Sequence, residues 1–188
     1  MNETGYSRKR VAPIIASVVG ALMVAFLWVL VTAEPNTADD ADSPLLGQPA
    51  PSVVSTTLDD EEFVLANRKG SWVIFNFFNS TCVPCIAEHP ELVAFSEREL
   101  QATNPAEIYT VINDDNDASV RAFFAKNGGD WQKVRDTDGA ISVAFGVAKV
   151  PETWVIDPNG YVRLRIAGML TPGLLDDQLA QLKAQFGS

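Results

Sequence analysis

Apolar residues along this chain fall into one long block, several short runs and several helical stripes. The long block is residues 11–33, which carry no charge. About 20 apolar residues suffice to cross a bilayer. The short runs read as strands: 53–56 and 62–65 around a turn at Asp59-Asp60, then 71–78, 108–112, 131–134, 153–156 and 161–167. Residues 71–78 form the most apolar of these, Ser-Trp-Val-Ile-Phe-Asn-Phe-Phe. Such an aromatic and β-branched run is expected in a strand buried on both faces. Helical spacing is expected from about 83 to 102, with Pro90 inside, and over 118–126 and 140–145. A final helix is expected to open at Thr171-Pro172, with Pro at its first position, and to run to about Gln185. Polar residues 113–117 offer a helix N-cap, and Asp157-Pro-Asn-Gly160 a tight hairpin turn. Strands thus alternate with helices and end in a hairpin and a helix. That order predicts an α/β fold with a mixed central sheet and helices on both faces.

The flanks of the long block give it a direction. Arg8, Lys9 and Arg10 precede it; Glu34, Asp39, Asp40 and Asp42 follow. The positive-inside rule then places residues 1–10 in the cytoplasm as a tail, 11–33 as a single transmembrane anchor, and the rest outside the cell membrane. Val31-Thr-Ala33 also fits a cleavage site, so a removed signal peptide is the rival reading. Residues 34–44 are acidic and Pro-bearing and read as a flexible linker, with the folded domain at 45–188. The chain has 14 Lys and Arg against 24 Asp and Glu, a net charge of −10. Every acid except Glu3 lies beyond the apolar block. Nucleic acid is excluded as a partner, because phosphate binding needs basic residues.

The two cysteines are Cys82 and Cys85. The expected strand ends just before them and the expected helix begins at them. Cys82 is therefore placed on the first helical turn, where unpaired N–H groups and the helix dipole favour a thiolate. Cys85, one turn further in, is placed to close a short disulfide with it. A structural staple over so short a loop removes little chain entropy. An exported domain sits where disulfides persist, so the spacing favours a redox pair. His89 is the one histidine. Cys82, Cys85 and His89 lack a fourth ligand for zinc, so no metal site is expected. Asp114, Asp115 and Asp117 lack the spacing of a calcium loop. The dithiol chemistry calls for no cofactor.

Several segments together resemble a known family. They are Gly47-Gln-Pro-Ala-Pro51, Phe75-Asn-Phe-Phe78, Cys82-Val-Pro-Cys85, Glu88-His-Pro90 and Phe145-Gly-Val-Ala-Lys-Val-Pro-Glu-Thr-Trp-Val-Ile-Asp157. In this order they resemble the thioredoxin-like fold. More closely, they resemble the membrane-anchored, extracytoplasmic thiol-disulfide oxidoreductases of the TlpA/ResA/CcmG type, which serve cytochrome c maturation. The resemblance covers roughly residues 45–186. Residues 107–127 are similar to this branch's inserted strand and helix.

The resemblance implies a reaction and roles. Cys82 is the nucleophile and Cys85 the resolving thiol, with Thr81, Val83 and Pro84 shaping the active-site loop. Pro151 matches the cis-proline that faces the dithiol in this fold. Glu88 and Glu152 are candidate proton carriers for the buried thiol, and Asn76 a supporting hydrogen-bond partner. The implied substrates are protein disulfides, apocytochrome c cysteines above all, with electrons from a membrane thiol carrier. Two positions depart from the family. It usually has Trp where this chain has Thr81 and Phe78, so the stacking surface beside the dithiol is expected to differ. Cytosolic thioredoxins have a buried Asp where Asn76 stands; the maturation branch often has Asn.

Three other functions compete with reduction of apocytochrome c. A peroxiredoxin-like peroxidase needs Pro and Thr or Ser where this chain has Phe75 and Asn79. A disulfide-forming oxidase differs in reduction potential, which spacing does not encode. An anchored binding or chaperone module would hold an inert, buried disulfide.

Overall fold

The computed structural model describes residues 11–32, 39–40 and 42–186, with side chains from 14–28 and from 42 onward. The expected tail at 1–10 lies outside the described residues, as does most of the 34–44 linker. Two compact units divide near residue 35. The first contains helix α1, Val11–Thr32, whose described apolar side chains are exposed. Among the described residues, no helix is long and apolar enough to cross a membrane.

The second unit follows the alternating order. It comprises β1 (Asp39–Asp40), β2 (Val54–Thr56), β3 (Glu62–Val64), β4 (Val73–Phe78), α2 (Val83–Glu99), β5 (Glu107–Ile112) and α3 (Asp117–Asn127). After these come β6 (Gln132–Arg135), α4 (Ala140–Phe145), β7 (Glu152–Ile156), β8 (Val162–Ala167) and α5 (Leu174–Phe186). The main sheet has the order β1-β8-β7-β4-β5-β6. β4 pairs parallel with β5 and antiparallel with β7, so the sheet is mixed. β2 and β3 form a separate antiparallel hairpin.

Alternation along β4 divides the core. Val73, Phe75 and Phe77 face one layer with Tyr109, Val111, Phe145, Trp154 and the hairpin's Phe63. Ile74 faces the other, with Leu92 and Phe95 of α2 and Leu175, Leu179 and Leu182 of α5. Phe78 continues that second face into a smaller cluster with Cys85, Ile112, Val120 and Phe124. Helices therefore cover both faces, as expected: α4 on one, α2, α3 and α5 on the other.

Two sequence expectations need correction. The last helix does not start at Pro172. Gly173 has φ 78°, a left-handed conformation that breaks a right-handed helix, and α5 begins at Leu174. Composition suggests a loop over residues 67–70, but Leu65–Arg68 forms a 3-10 turn that buries Leu65. Pro90 lies inside α2 without ending it. Asn116 is the N-cap of α3, its side chain accepting from Ser119 N.

The short helix α4 leads into the segment that faces the cysteines. Its N-cap is Gly139, which has no side chain to offer. The buried carboxylate of Asp136 substitutes: its oxygens accept from Ile141 N and Ser142 N, both at 2.8 Å. Removing it orphans two helix donors. Asp136→Ala is expected to cost about 2 kcal/mol, read as a lower denaturant midpoint at unchanged slope. A loss under about 0.5 kcal/mol would show that α4 is held by something other than Asp136.

Candidate active site

β4 ends at Phe78, and four residues separate it from the start of α2 at Val83. That connection is held by side chains rather than by apolar packing. Asn79 Nδ2 donates to the carbonyls of Asn113 (3.0 Å) and Asp114 (2.8 Å). Asn79 Oδ1 accepts from Thr81 N (2.8 Å) and Thr81 Oγ1 (2.7 Å). Asp115 Oδ2 accepts from Ser80 N at 2.6 Å. The loop after β5 therefore fixes the loop that presents Cys82.

Cys82 is the N-cap of α2, and its Sγ accepts from Cys85 N at 3.2 Å. Pro84, in the first turn, removes an N–H that would have no helical partner. Cys82 and Cys85 are joined in a disulfide, with Cα atoms 5.2 Å apart. Cys82 is half-buried, whereas Cys85 is fully buried. The outer sulfur thus sits at the positive end of a helix of 17 residues, where a thiolate is favoured. The Val150–Pro151 peptide bond is cis, and the Val150 carbonyl oxygen lies 3.7 Å from Cys82 Sγ. The structure thus brings Pro151 to the dithiol.

The two departures from the family's tryptophans have different fates. Phe78 is buried beneath the site, its ring 4.9 Å from that of Phe123 and 5.4 Å from that of Phe124. Thr81 is exposed and tied to Asn79. Neither presents a ring beside Cys82. Val83 (75% exposed) and Ile86 (41% exposed) are exposed apolar residues in the first turn of α2.

Glu88 follows Cys85 by one helical turn and is 1% exposed. Its Oε1 accepts from Asn76 Nδ2 at 2.8 Å and its Oε2 from Leu170 N at 2.8 Å. Burial dominates and raises its pKa to about 7, while the two donors pull in the opposite direction. Asn76 Nδ2 also donates to Thr153 Oγ1 at 3.2 Å, and Thr153 stands directly opposite it in β7.

Glu152 lies apart from this group. It pairs with Phe77 across β4 and β7, which puts it on the opposite face of the sheet from Asn76. Both its oxygens are held by Arg165, at 2.9 and 3.0 Å. Such a bidentate pair engages both carboxylate oxygens.

His89 is buried in a box formed by Phe78, Phe123, Phe124 and Trp131. Its Nε2 lies 3.1 Å from the Gly128 carbonyl. Burial lowers its pKa, so the ring is neutral at neutral pH. His89 belongs to the packing of α3 against α2.

Sequence reasoning alone did not find Thr153, Leu170 N, Asn79 or Asp115. Thr153 carried one signal, a polar residue inside an apolar strand, as Asn76 did. The Leu170 contribution is a backbone group, and Asn79 and Asp115 look like ordinary loop residues.

Comparison with known proteins gives the same picture. The thiol:disulfide interchange protein HelX of Rhodobacter capsulatus is 32% identical over 154 residues, 80% of this chain and 82% of that one. The thiol:disulfide interchange protein DsbE of Pseudomonas aeruginosa is 28% identical over 167 residues, 87% and 88% of the two chains. Among solved structures, MTB dsbF in mixed oxidized and reduced forms superposes with a TM-score of 0.64 at 22% identity. It covers 71% of this chain and 98% of its own. Residues 46–165 match the family described as AhpC/TSA, and the chain therefore belongs to that thioredoxin-like family.

Proposed function

We propose that the protein is a membrane-anchored, extracytoplasmic thiol-disulfide oxidoreductase that reduces protein disulfides, those of apocytochrome c among them. One observation carries this reading: the Cys82–Cys85 disulfide caps α2 while a buried, protonatable carboxyl lies one turn below the inner sulfur. The names of the relatives support the reaction class. The motif resemblance supports the substrate.

The reduced protein starts with a Cys82 thiolate and a Cys85 thiol. The thiolate attacks one sulfur of the substrate disulfide, forms a mixed disulfide and expels a substrate thiolate, which takes a proton from water. Ionised Glu88 then receives the Cys85 proton. The Cys85 thiolate attacks Cys82 Sγ, closes the Cys82–Cys85 bond and releases the second substrate thiolate. Two electrons pass from the protein dithiol to the substrate. Glu88 returns its proton to solvent or to the departing sulfur. A membrane thiol carrier restores the dithiol.

A peroxidase is disfavoured by two positions. Phe75 is buried among Phe63, Phe77, Tyr109 and Phe145. Asn79 spends its side chain on the loop after β5. Neither shapes a peroxide pocket.

The anchor rests on the sequence from Val11 to Ala33 and on the three basic residues before it. Within that stretch, Val11–Thr32 is helical.

Cys85→Ser in the full-length protein should trap substrate as a mixed disulfide, visible on non-reducing gels of the membrane fraction and cleaved by a membrane-impermeant reductant. Cys82→Ser should trap nothing. Equal trapping by both variants, or trapping shielded from the reductant in intact cells, would contradict the proposal.

Glu88 also couples stability to pH. Its folded pKa of about 7 exceeds the ordinary 4.5. Between these values the folded chain holds more protons than the unfolded one, so stability falls as pH rises and the penalty is complete above 7. The full effect is on the order of 3 kcal/mol. Glu88→Gln should flatten denaturation midpoints of the oxidised protein across this window and slow resolution of the mixed disulfide about 100-fold. An unchanged pH slope would remove Glu88 from the mechanism.

A further inference from the structure

The mechanism asks a buried carboxyl to be satisfied both with and without its proton. A carboxylate needs donors; a carboxylic acid also needs an acceptor for its O–H. Glu88 is surrounded by few groups that offer both. Leu170 N is a donor only. No charged side chain influences Glu88 from the elements packed against it; burial, Leu170 and Asn76 are the influences. On its own helix, Cys85 is in the disulfide and His89 is turned into its aromatic box. Glu152, on β7, faces the other side of the sheet and is held by Arg165. The remaining neighbours are the Asn76 carboxamide and the Thr153 hydroxyl.

Asn76 is arranged asymmetrically. Its Nδ2 makes both side-chain bonds, to Glu88 Oε1 and to Thr153 Oγ1. Its Oδ1 is buried and has no hydrogen-bond partner. That orientation suits the carboxylate. A rotation of the amide by half a turn would exchange the two ends. Oδ1 would then face Glu88 and accept its O–H. The Thr153 hydroxyl, which both donates and accepts, would turn and donate to the same oxygen. The backbone need not move, because only a terminal amide torsion and a hydroxyl rotor change, and the end of the amide without a partner becomes Nδ2 in place of Oδ1.

We propose that Asn76 is a positioning residue for exchange: its carboxamide turns over when Glu88 gains or loses a proton, and Thr153 reverses between acceptor and donor with it. This rests on the exchange reading for its purpose, but not for its test. The pair lets Glu88 take the Cys85 proton without leaving that proton unbonded in the core. A buried aspartate at residue 76 would instead add a second acid to the site. An aliphatic residue would satisfy neither state.

The test is solution NMR of the oxidised full-length chain with asparagine side chains labelled in nitrogen, across pH 5 to 9. Above the Glu88 midpoint, cross-peaks from the Asn76 Nδ2 protons to the Glu88 and Thr153 side chains are expected. Below it they should vanish, with that same midpoint. In Glu88→Gln the pattern should not change with pH. Cross-peaks that persist at every pH in the parent protein overturn the proposal, as does loss at a midpoint that Glu88→Gln leaves unmoved. None of this needs a substrate, so failure of the amide reversal is separate from failure of the exchange reading. A kinetic measurement gives a second readout. Asn76→Leu removes a donor to the carboxylate, and the pH midpoint for resolving the mixed disulfide should rise by about one unit. Thr153→Ser keeps the hydroxyl and should leave that midpoint in place. A slower Asn76→Leu protein with an unshifted midpoint would mark Asn76 as structural only.

Discussion

Strand β4 has hydrogen-bonded neighbours on both edges and packed layers on both faces, so nothing polar on it goes to water. Its apolar residues alternate between the two cores, Phe75 and Phe77 to one side and Ile74 and Phe78 to the other. Asn76 interrupts that pattern in the middle of the sheet. A buried carboxamide is costly unless bonded, and in this fold its partners are the Glu88 carboxyl and the threonine opposite. The same strand then delivers the chain to Cys82. The core and the site are therefore placed by one element.

Glu88 and Glu152 are both buried, and the protein treats them differently. Glu152 has a guanidinium to itself, with both oxygens engaged, on the far face of the sheet. Glu88 has an amide, a backbone N–H and no cation. Burial without a counter-charge raises an acid's pKa toward neutrality, where a group exchanges protons readily. The absence of a positive partner leaves burial as the largest influence on Glu88. The loop chemistry is arranged for rigidity instead. Asn79 and Asp115 tie the Cys82 loop to the turn after β5, so the sulfur does not depend on an aromatic neighbour for its position.

Much of the fold was legible because its signals are local. The apolar run before Cys82, the helical stripe after it and the hairpin turn at Asp157-Pro-Asn-Gly160 each declare their element in a few residues. The last helix was misplaced because Pro172 suits a first turn, whereas the left-handed Gly173 decides the start. Cys82, Cys85, Pro151, Glu88 and Asn76 were identified from motif order, and the folded chain brings them together. Glu152 was put in the same group because it follows Pro151. Strand alternation, together with an arginine 13 residues later, sends it elsewhere. Leu170 was beyond reach, because its contribution is a backbone N–H brought from 82 residues away.

We propose that the Cys82–Cys85 dithiol is a working reductant, and that its disulfide is neither a staple nor an oxidant. The most direct measurement is the reduction potential of the Cys82–Cys85 couple in the full-length protein, equilibrated with thiol–disulfide buffers. A reductant predicts a freely equilibrating couple with a potential below about −200 mV. A value near about −120 mV would make the protein a disulfide-forming oxidase. A couple that equilibrates only in denaturant would make the bond structural. Either of these last two results would contradict the claim that the dithiol reduces protein disulfides.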